Sequence, residues 1–284
     1  MRKFIISDIH GFGNLYYCIM NYLDKLSEDN EIELYINGDL FDRGNESVEI
    51  LLDVIKRIKE DNSRFKIKYL GGNHERMMYK VFNKRERGKR VLPFESWFLL
   101  PNGGKKTDDD LNKLLNKEEI DEVYHFISNL KIYHKFPEKI NNKNIVLVHA
   151  ACPRNVNDEC NMSIKDRLVG YYVWAREDSL GNLINLPIGN KAYFTIVGHT
   201  PVNLAFGYEY HKEGNYLNID GGSGVYATGD TSFNHFPLVE VCNGYLKILT
   251  FNSDNEIIFG NYFDGIGSTP FTTEELEREK LLIK

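Results

Sequence analysis

Five places along the chain join an apolar run to a residue able to bind a metal ion. Phe4 to Ile6 runs into Asp8-Ile9-His10-Gly11, Ile32 to Ile36 into Gly38-Asp39-Leu40-Phe41-Asp42-Arg43-Gly44, and Ile67 to Leu70 into Gly71-Gly72-Asn73-His74-Glu75. Ile145 to Val148 ends at His149, and Phe194 to Val197 at Gly198-His199-Thr200. Three histidines (His10, His149, His199), two aspartates (Asp8, Asp39) and the Asn73 amide make a mixed nitrogen and oxygen donor set, which suits Mn, Fe or Zn better than an all-oxygen Mg or Ca cage. The absence of thiolates disfavours a structural zinc cluster. Six donors are too many for one four-coordinate ion but serve two if one carboxylate is shared. Two ions roughly 3.5 to 4 Å apart generate a hydroxide near neutral pH and clamp a phosphoryl group for in-line attack.

The elements that must position these groups are legible in the same pattern. The apolar runs read as buried strands, and Leu15 to Leu26 and Val48 to Ile58 as helices, with apolar residues three and four apart. A β-α-β-α-β start predicts an α/β fold with strands covered by helices. In an open α/β sheet the carboxyl ends of the strands meet at the ligand crevice, so one site can gather all five endings. From about 77 to 136 the sequence turns charged and helix-like, broken by Pro93, Pro101 and Gly103-Gly104, and is expected to be an insertion packed on the scaffold near its site. Beyond Thr200, the runs Tyr216 to Ile219, Leu238 to Val241 and Leu246 to Phe251 predict antiparallel strands, and Thr272 with Glu275 predicts a capped terminal helix. No internal repeat is visible, so a single domain over 1–284 is expected.

Composition bounds the partners. The 42% hydrophobic and 27% charged content is that of a folded chain. A net charge of -6 argues against a general grip on nucleic acid, whose phosphates are held by Lys and Arg. The apolar run at Phe4 stops too soon for a signal peptide, and none reaches the roughly 20 residues that span a bilayer. Cys18, Cys152, Cys160 and Cys242 show no C-x-x-C pairing and are expected to be free thiols in a cytoplasmic protein.

These motifs resemble the calcineurin-like metallophosphoesterases, and within them the bacterial branch of the phosphoprotein phosphatases. The likeness covers D-x-H-G at Asp8 to Gly11, G-D-x-x-D-R-G at Gly38 to Gly44, G-N-H-E at Gly72 to Glu75, His149 before Ala150, and Gly198-His199-Thr200-Pro201. Trp97, Asn102-Gly103-Gly104 and Thr107 match a W…N-G-G…T feature of the bacterial phosphatases. The resemblance implies a four-layer α/β/β/α sandwich of two mixed sheets flanked by helices. It implies that Asp8, His10 and Asp39 bind one metal, that Asp39 bridges to the second, and that Asn73, His149 and His199 complete the second. Manganese is the expected metal, with Fe or Zn as alternatives. His74 would be the general acid and Asp42 its orienting partner, while Arg43 and Arg176 would hold phosphate oxygens, a task that suits guanidinium forks. Ser7 and Ala151 stand where the family often has Gly, which bears on substrate fit more than on catalysis.

Each residue has a plainer reading beside the functional one. A single buried histidine is more often a core residue, and Asp42-Arg43-Gly44 could be a turn; shared placement at strand ends favours function. His125, His134, His211 and His235 lack that placement and are assigned to surface or structural roles. Asp108-Asp109-Asp110 fits a helix start. The basic run Lys84, Arg85, Arg87, Lys89 and Arg90 reads as a solvated face, or as a steering surface if the insertion overhangs the metals. The leading expectation is a phosphomonoesterase acting on phosphoserine or phosphothreonine in proteins. The alternatives are a symmetrical dinucleoside tetraphosphatase, an RNA-end phosphatase or cyclic phosphodiesterase, and a binding scaffold without catalysis. Surrounding loops, not the motifs, choose the substrate.

Overall fold

A computed structural model describes residues 1–153, 156, 162–166, 169–176, 190–202, 210–211, 216–230 and 235–283. Strands β1 (Arg2–Ile6), β2 (Ile32–Asn37) and β3 (Phe65–Leu70) pair in parallel, connected by helices α1 (Gly13–Ser27) and α2 (Ser47–Glu60). On the other side of β1 follow, antiparallel, β9 (Phe236–Val241), β10 (Leu246–Phe251), β11 (Ile257–Phe263) and β12 (Ser268–Pro270), giving a seven-stranded mixed sheet ordered β12-β11-β10-β9-β1-β2-β3. The second sheet is ordered β4-β5-β6-β8-β7, from β4 (Tyr133–Ile140), β5 (Lys143–Val148), β6 (Phe194–Val197), β8 (Tyr216–Asn218) and β7 (Tyr210–His211).

Side chains alternate across each strand, so a strand buried on both faces must be apolar at every position. In β1, Ile5 faces the layer between the sheets while Phe4 and Ile6 face α1 and α2. In β5, Ile145 and Leu147 enter that middle layer, and Val146 and Val148 pack outward with Val169 and Val173 around helix α6 (Val169–Tyr172). The result is the α/β/β/α sandwich of two mixed sheets flanked by helices. Helix α1 contributes Leu15, Tyr16, Ile19, Met20 and Leu23 to the outer core, a stripe with helical spacing.

The stretch 77–136 takes in most of α3 (Asn73–Glu86), single 3-10 turns at Ser96–Phe98 and Leu100–Asn102, helices α4 (Gly104–Leu114) and α5 (Lys117–Ser128), and the start of β4. Helix α4 begins at Gly104, after Gly103 in the left-handed region, and not at the aspartates. Asp108 lies in its second turn, paired with Arg85 at 2.6 Å, so an ion pair and not the helix dipole explains it. Strand β8 meets the expectation on one side only, pairing antiparallel with β7 but parallel with β6. Alternation reveals which face is buried but not the direction of the neighbouring strand. The terminal helix α8 (Thr273–Leu281) carries the expected box, with Thr272 N donating to Glu275 at 2.8 Å. Cys18, Cys152 and Cys242 are free thiols; Cys160 and the His211 side chain lie outside the described residues.

Candidate metal centre

The carboxyl ends of β1, β2, β3, β5 and β6 carry Asp8, Asp39, Asn73, His149 and His199, with His10 two residues beyond Asp8. The chain turns sharply at these ends. Asp8, His10, Asp39, Asp42, Arg43 and His199 all have positive φ, between 50° and 74°. For residues with a Cβ this costs on the order of 1–3 kcal/mol each and persists where surrounding structure imposes it, as at functional sites. Two glycines permit the close approach that follows. A Cβ on Gly72 would stand 2.3 Å from Asp39 Oδ1, and one on Gly198 2.1 Å from Asp8 Oδ2.

Asp39 is the hub. Its Oδ2 lies 3.6 Å from His10 Nε2 and 3.8 Å from His74 Nε2, whereas its Oδ1 lies 3.3 Å from His149 Nε2. Asn73 Oδ1 is 3.0 Å from the same His149 nitrogen. Two donor groups, one of His10, Asp39 and His74 and one of Asp39, His149 and His199, are each compact enough to hold an ion, and Asp39 belongs to both. Asp8, expected beside His10 and Asp39, belongs to neither group: both its carboxylate oxygens accept from His199 N at 3.1 Å and Oδ2 also from Ser7 Oγ, and it acts on His149 through its charge.

The buried charges of the centre act strongly on one another. Burial opposes ionisation of Asp39, but His149, His74 and His10 outweigh it and hold the carboxyl well below its usual range. Burial likewise opposes protonation of His149, yet Asp39 and Asp8 push its imidazole up to about 10. Asp8 is raised by burial and by the neighbouring Asp220. His10 is lowered by burial, Arg43 and His74. With its Nδ1 on Phe41 O at 3.2 Å, its Nε2 presents a lone pair, and the Arg43 guanidinium caps it at 2.8 Å. Both ring nitrogens of His199 and Nε2 of His74 are buried with no hydrogen-bond partner among the described residues. An unsatisfied buried polar group costs roughly 1–3 kcal/mol, so these atoms are built for a ligand. The donor set and its orphaned nitrogens fit a pair of divalent cations.

His74 is set apart by its second nitrogen. Its Nδ1 lies 2.6 Å from Asp42 Oδ2, which also accepts from Trp97 Nε1 at 2.8 Å, while Asp42 Oδ1 accepts from Thr107 at 2.5 Å. Trp97 and Thr107 thus clamp the carboxylate that orients the imidazole. Arg43 is held at Nε by Pro101 O at 3.1 Å. Arg176 is exposed, and its charge reaches His199, one of the causes lowering that imidazole, after burial and His149.

A profile described as calcineurin-like phosphoesterase matches residues 1–203. The chain belongs to the calcineurin-like phosphoesterase family. It is therefore a metal-dependent phosphoesterase, a hydrolase whose family works through a dinuclear metal centre, and the His/Asp groups around Asp39 are able to hold one. Among curated relatives, the chain is 24% identical over 235 residues to bis(5'-nucleosyl)-tetraphosphatase PrpE [asymmetrical] of Oceanobacillus iheyensis, covering 78% of this chain and 84% of that one. It is 28% identical over 151 residues to the symmetrical bis(5'-nucleosyl)-tetraphosphatase of Proteus mirabilis, covering 53% of this chain and 44% of that protein. A cold-active protein tyrosine phosphatase shares the fold, with a TM-score of 0.51 at 16% identity over 97% of this chain and 80% of the other.

Two buried carboxylates of this phosphoesterase had no role assigned from sequence. Glu75 accepts from the backbone amides of Gly72 at 2.7 Å, Asp39 at 3.0 Å and Leu40 at 3.1 Å, and from Tyr69 OH at 2.6 Å. It ties the β2 and β3 endings together and so aims Asp39. Its place in the G-N-H-E motif was the available signal. Burial pushes Asp220 up to about 6, with Asp39 adding to it against the Gly222 amide. It sits in Asp220-Gly221-Gly222, after β8, where turn residues gave no cue to a charged neighbour of Asp8.

Proposed function

We propose that the protein hydrolyses a nucleoside polyphosphate, with Asp8, His10, Asp39, Asn73, His149 and His199 holding two divalent cations, manganese first among the candidates. The observation that carries the hydrolase reading is the division of Asp39 between two histidine groups. Bound there, the two ions would supply an activated water and a clamp for the phosphoryl group. His74 Nε2 gives a proton to the leaving oxygen while Asp42 retains Nδ1–H. Arg43 leaves His10 to take phosphoryl oxygens, and Arg176 reaches them from the His199 side.

The two tetraphosphatase relatives support a polyphosphate ester as substrate, ahead of a phosphoprotein. A phosphoserine or phosphothreonine monoester stands as the second reading, favoured by the Trp97 and Thr107 clamp on Asp42, whose motif resembles that of bacterial protein phosphatases. Free thiols at Cys18, Cys152 and Cys242 support a cytoplasmic setting, and no described helix is long and apolar enough to cross a membrane.

The test is a Mn-supplemented comparison of diadenosine tetraphosphate, a phosphoserine or phosphothreonine peptide, a 2′,3′-cyclic nucleotide and an aryl phosphodiester. The dinucleotide is expected to lead in kcat/KM by about tenfold or more, the ratio that reports discrimination between substrates. The products say where it is cut: two ADP, or ATP with AMP. A lead for the phosphopeptide would install the second reading, and turnover of none of them would defeat the hydrolase.

A further inference from the structure

We infer that Trp174 is a platform on which a nucleobase of the substrate stacks; this rests on the nucleoside polyphosphate reading above. The chain has two tryptophans, and they are placed in opposite ways. Trp97 is fully buried behind Asp42, whereas Trp174 is 36% exposed. Its indole lies 6.0 Å from the His199 ring, centroid to centroid, at 83°, so the two rings meet edge to face and not stacked. His199 in turn lies 5.1 Å from His149. A large apolar ring thus stands open to solvent at the wall of a buried, polar centre, where a core residue would have been covered.

The local chain explains why it points outward. Ala150 N and Ala151 N, directly after His149, both donate to Tyr172 O, at 3.3 and 3.0 Å. Ala175 is buried and packs with Ala150 and Ala151. That anchor leaves Trp174 and Arg176, its neighbours on either side, exposed. One short segment fixed to the His149 loop therefore presents an aromatic face and a guanidinium together. A base bonded through its sugar to a phosphate chain offers the matching pair, a flat π surface and an anion. A peptide substrate needs the guanidinium but has no general use for the ring.

The experiment compares the Mn-loaded wild type with Trp174→Ala and Trp174→Phe. Base stacking on an aromatic side chain, removed by alanine, corresponds to a loss of roughly 5- to 150-fold. W174A is expected to lose that much in kcat/KM on diadenosine tetraphosphate, at least fivefold more than on inorganic tripolyphosphate, which has no base. W174F, which keeps a π face, is expected to recover most of the loss. AMP is expected to quench indole fluorescence at constant Mn in the wild type and not in W174F, where only buried Trp97 remains. Equal losses on both substrates, or AMP quenching that persists in W174F, would overturn the assignment. Failure of the nucleotide reading shows separately, as absent wild-type turnover of the dinucleotide; AMP quenching still decides Trp174 in that case.

Discussion

Asp39→Asn is expected to lower turnover by roughly a thousandfold, equivalent to about 4 kcal/mol of transition-state stabilisation, with saturating Mn. The substitution preserves volume but removes the one charge shared by both donor groups. His10, His74 and His149 then face each other without the anion that lies within 3.3 to 3.8 Å of each. An amide also offers one acceptor oxygen where two are needed. Folding should survive, because His74 N donates to Asp39 Oδ1 and Asn keeps an oxygen for it. Steady-state kinetics on folded protein, checked by circular dichroism, decides the matter. Activity within tenfold of wild type would remove Asp39 from the centre of the reaction.

His74→Asn is expected to cost about 10²–10⁴-fold on a phosphoserine substrate, whose alkoxide leaving group needs a proton. The loss should shrink for an activated aryl phosphate and for a nucleoside polyphosphate, whose leaving phosphate has a second pKa near 6 and departs readily as an anion. This contrast separates two roles that the geometry brings close together. His74 falls within the donor group of His10 and Asp39, so it has the reach of a ligand. Its Nδ1–H is nevertheless tied to Asp42, itself clamped by Trp97 and Thr107, an arrangement that aims Nε2 and supplies the counter-ion for the imidazolium that proton delivery requires. Equal losses on all three substrates, accompanied by loss of metal, would make His74 a ligand and not the acid.

Much of this candidate centre was legible in the sequence because its candidate ligands follow apolar runs. A parallel strand buried on both faces must be apolar throughout, and the charge that ends it stands out sharply at Asp8, Asp39, His149 and His199. Strand β4 was not legible for the converse reason. Tyr133–Ile140 is an edge strand with Lys135, Pro137, Glu138 and Lys139, and its register shifts between Lys135 and Lys139, where the proline falls. Such an element takes its identity from β5 and not from its own pattern. The start of α4 escaped because the cue used was acidic residues, while the chain turns at Gly103 in the left-handed region. Glu75 and Asp220 act through backbone amides and neighbouring charge, partners that only the folded chain brings near.

The most direct test counts metal. Wild-type protein stripped of metal and dialysed against Mn is expected to bind two ions per chain by elemental analysis. Two equivalents agree with a carboxylate shared between paired cations. A single equivalent, or none, would contradict the dinuclear centre.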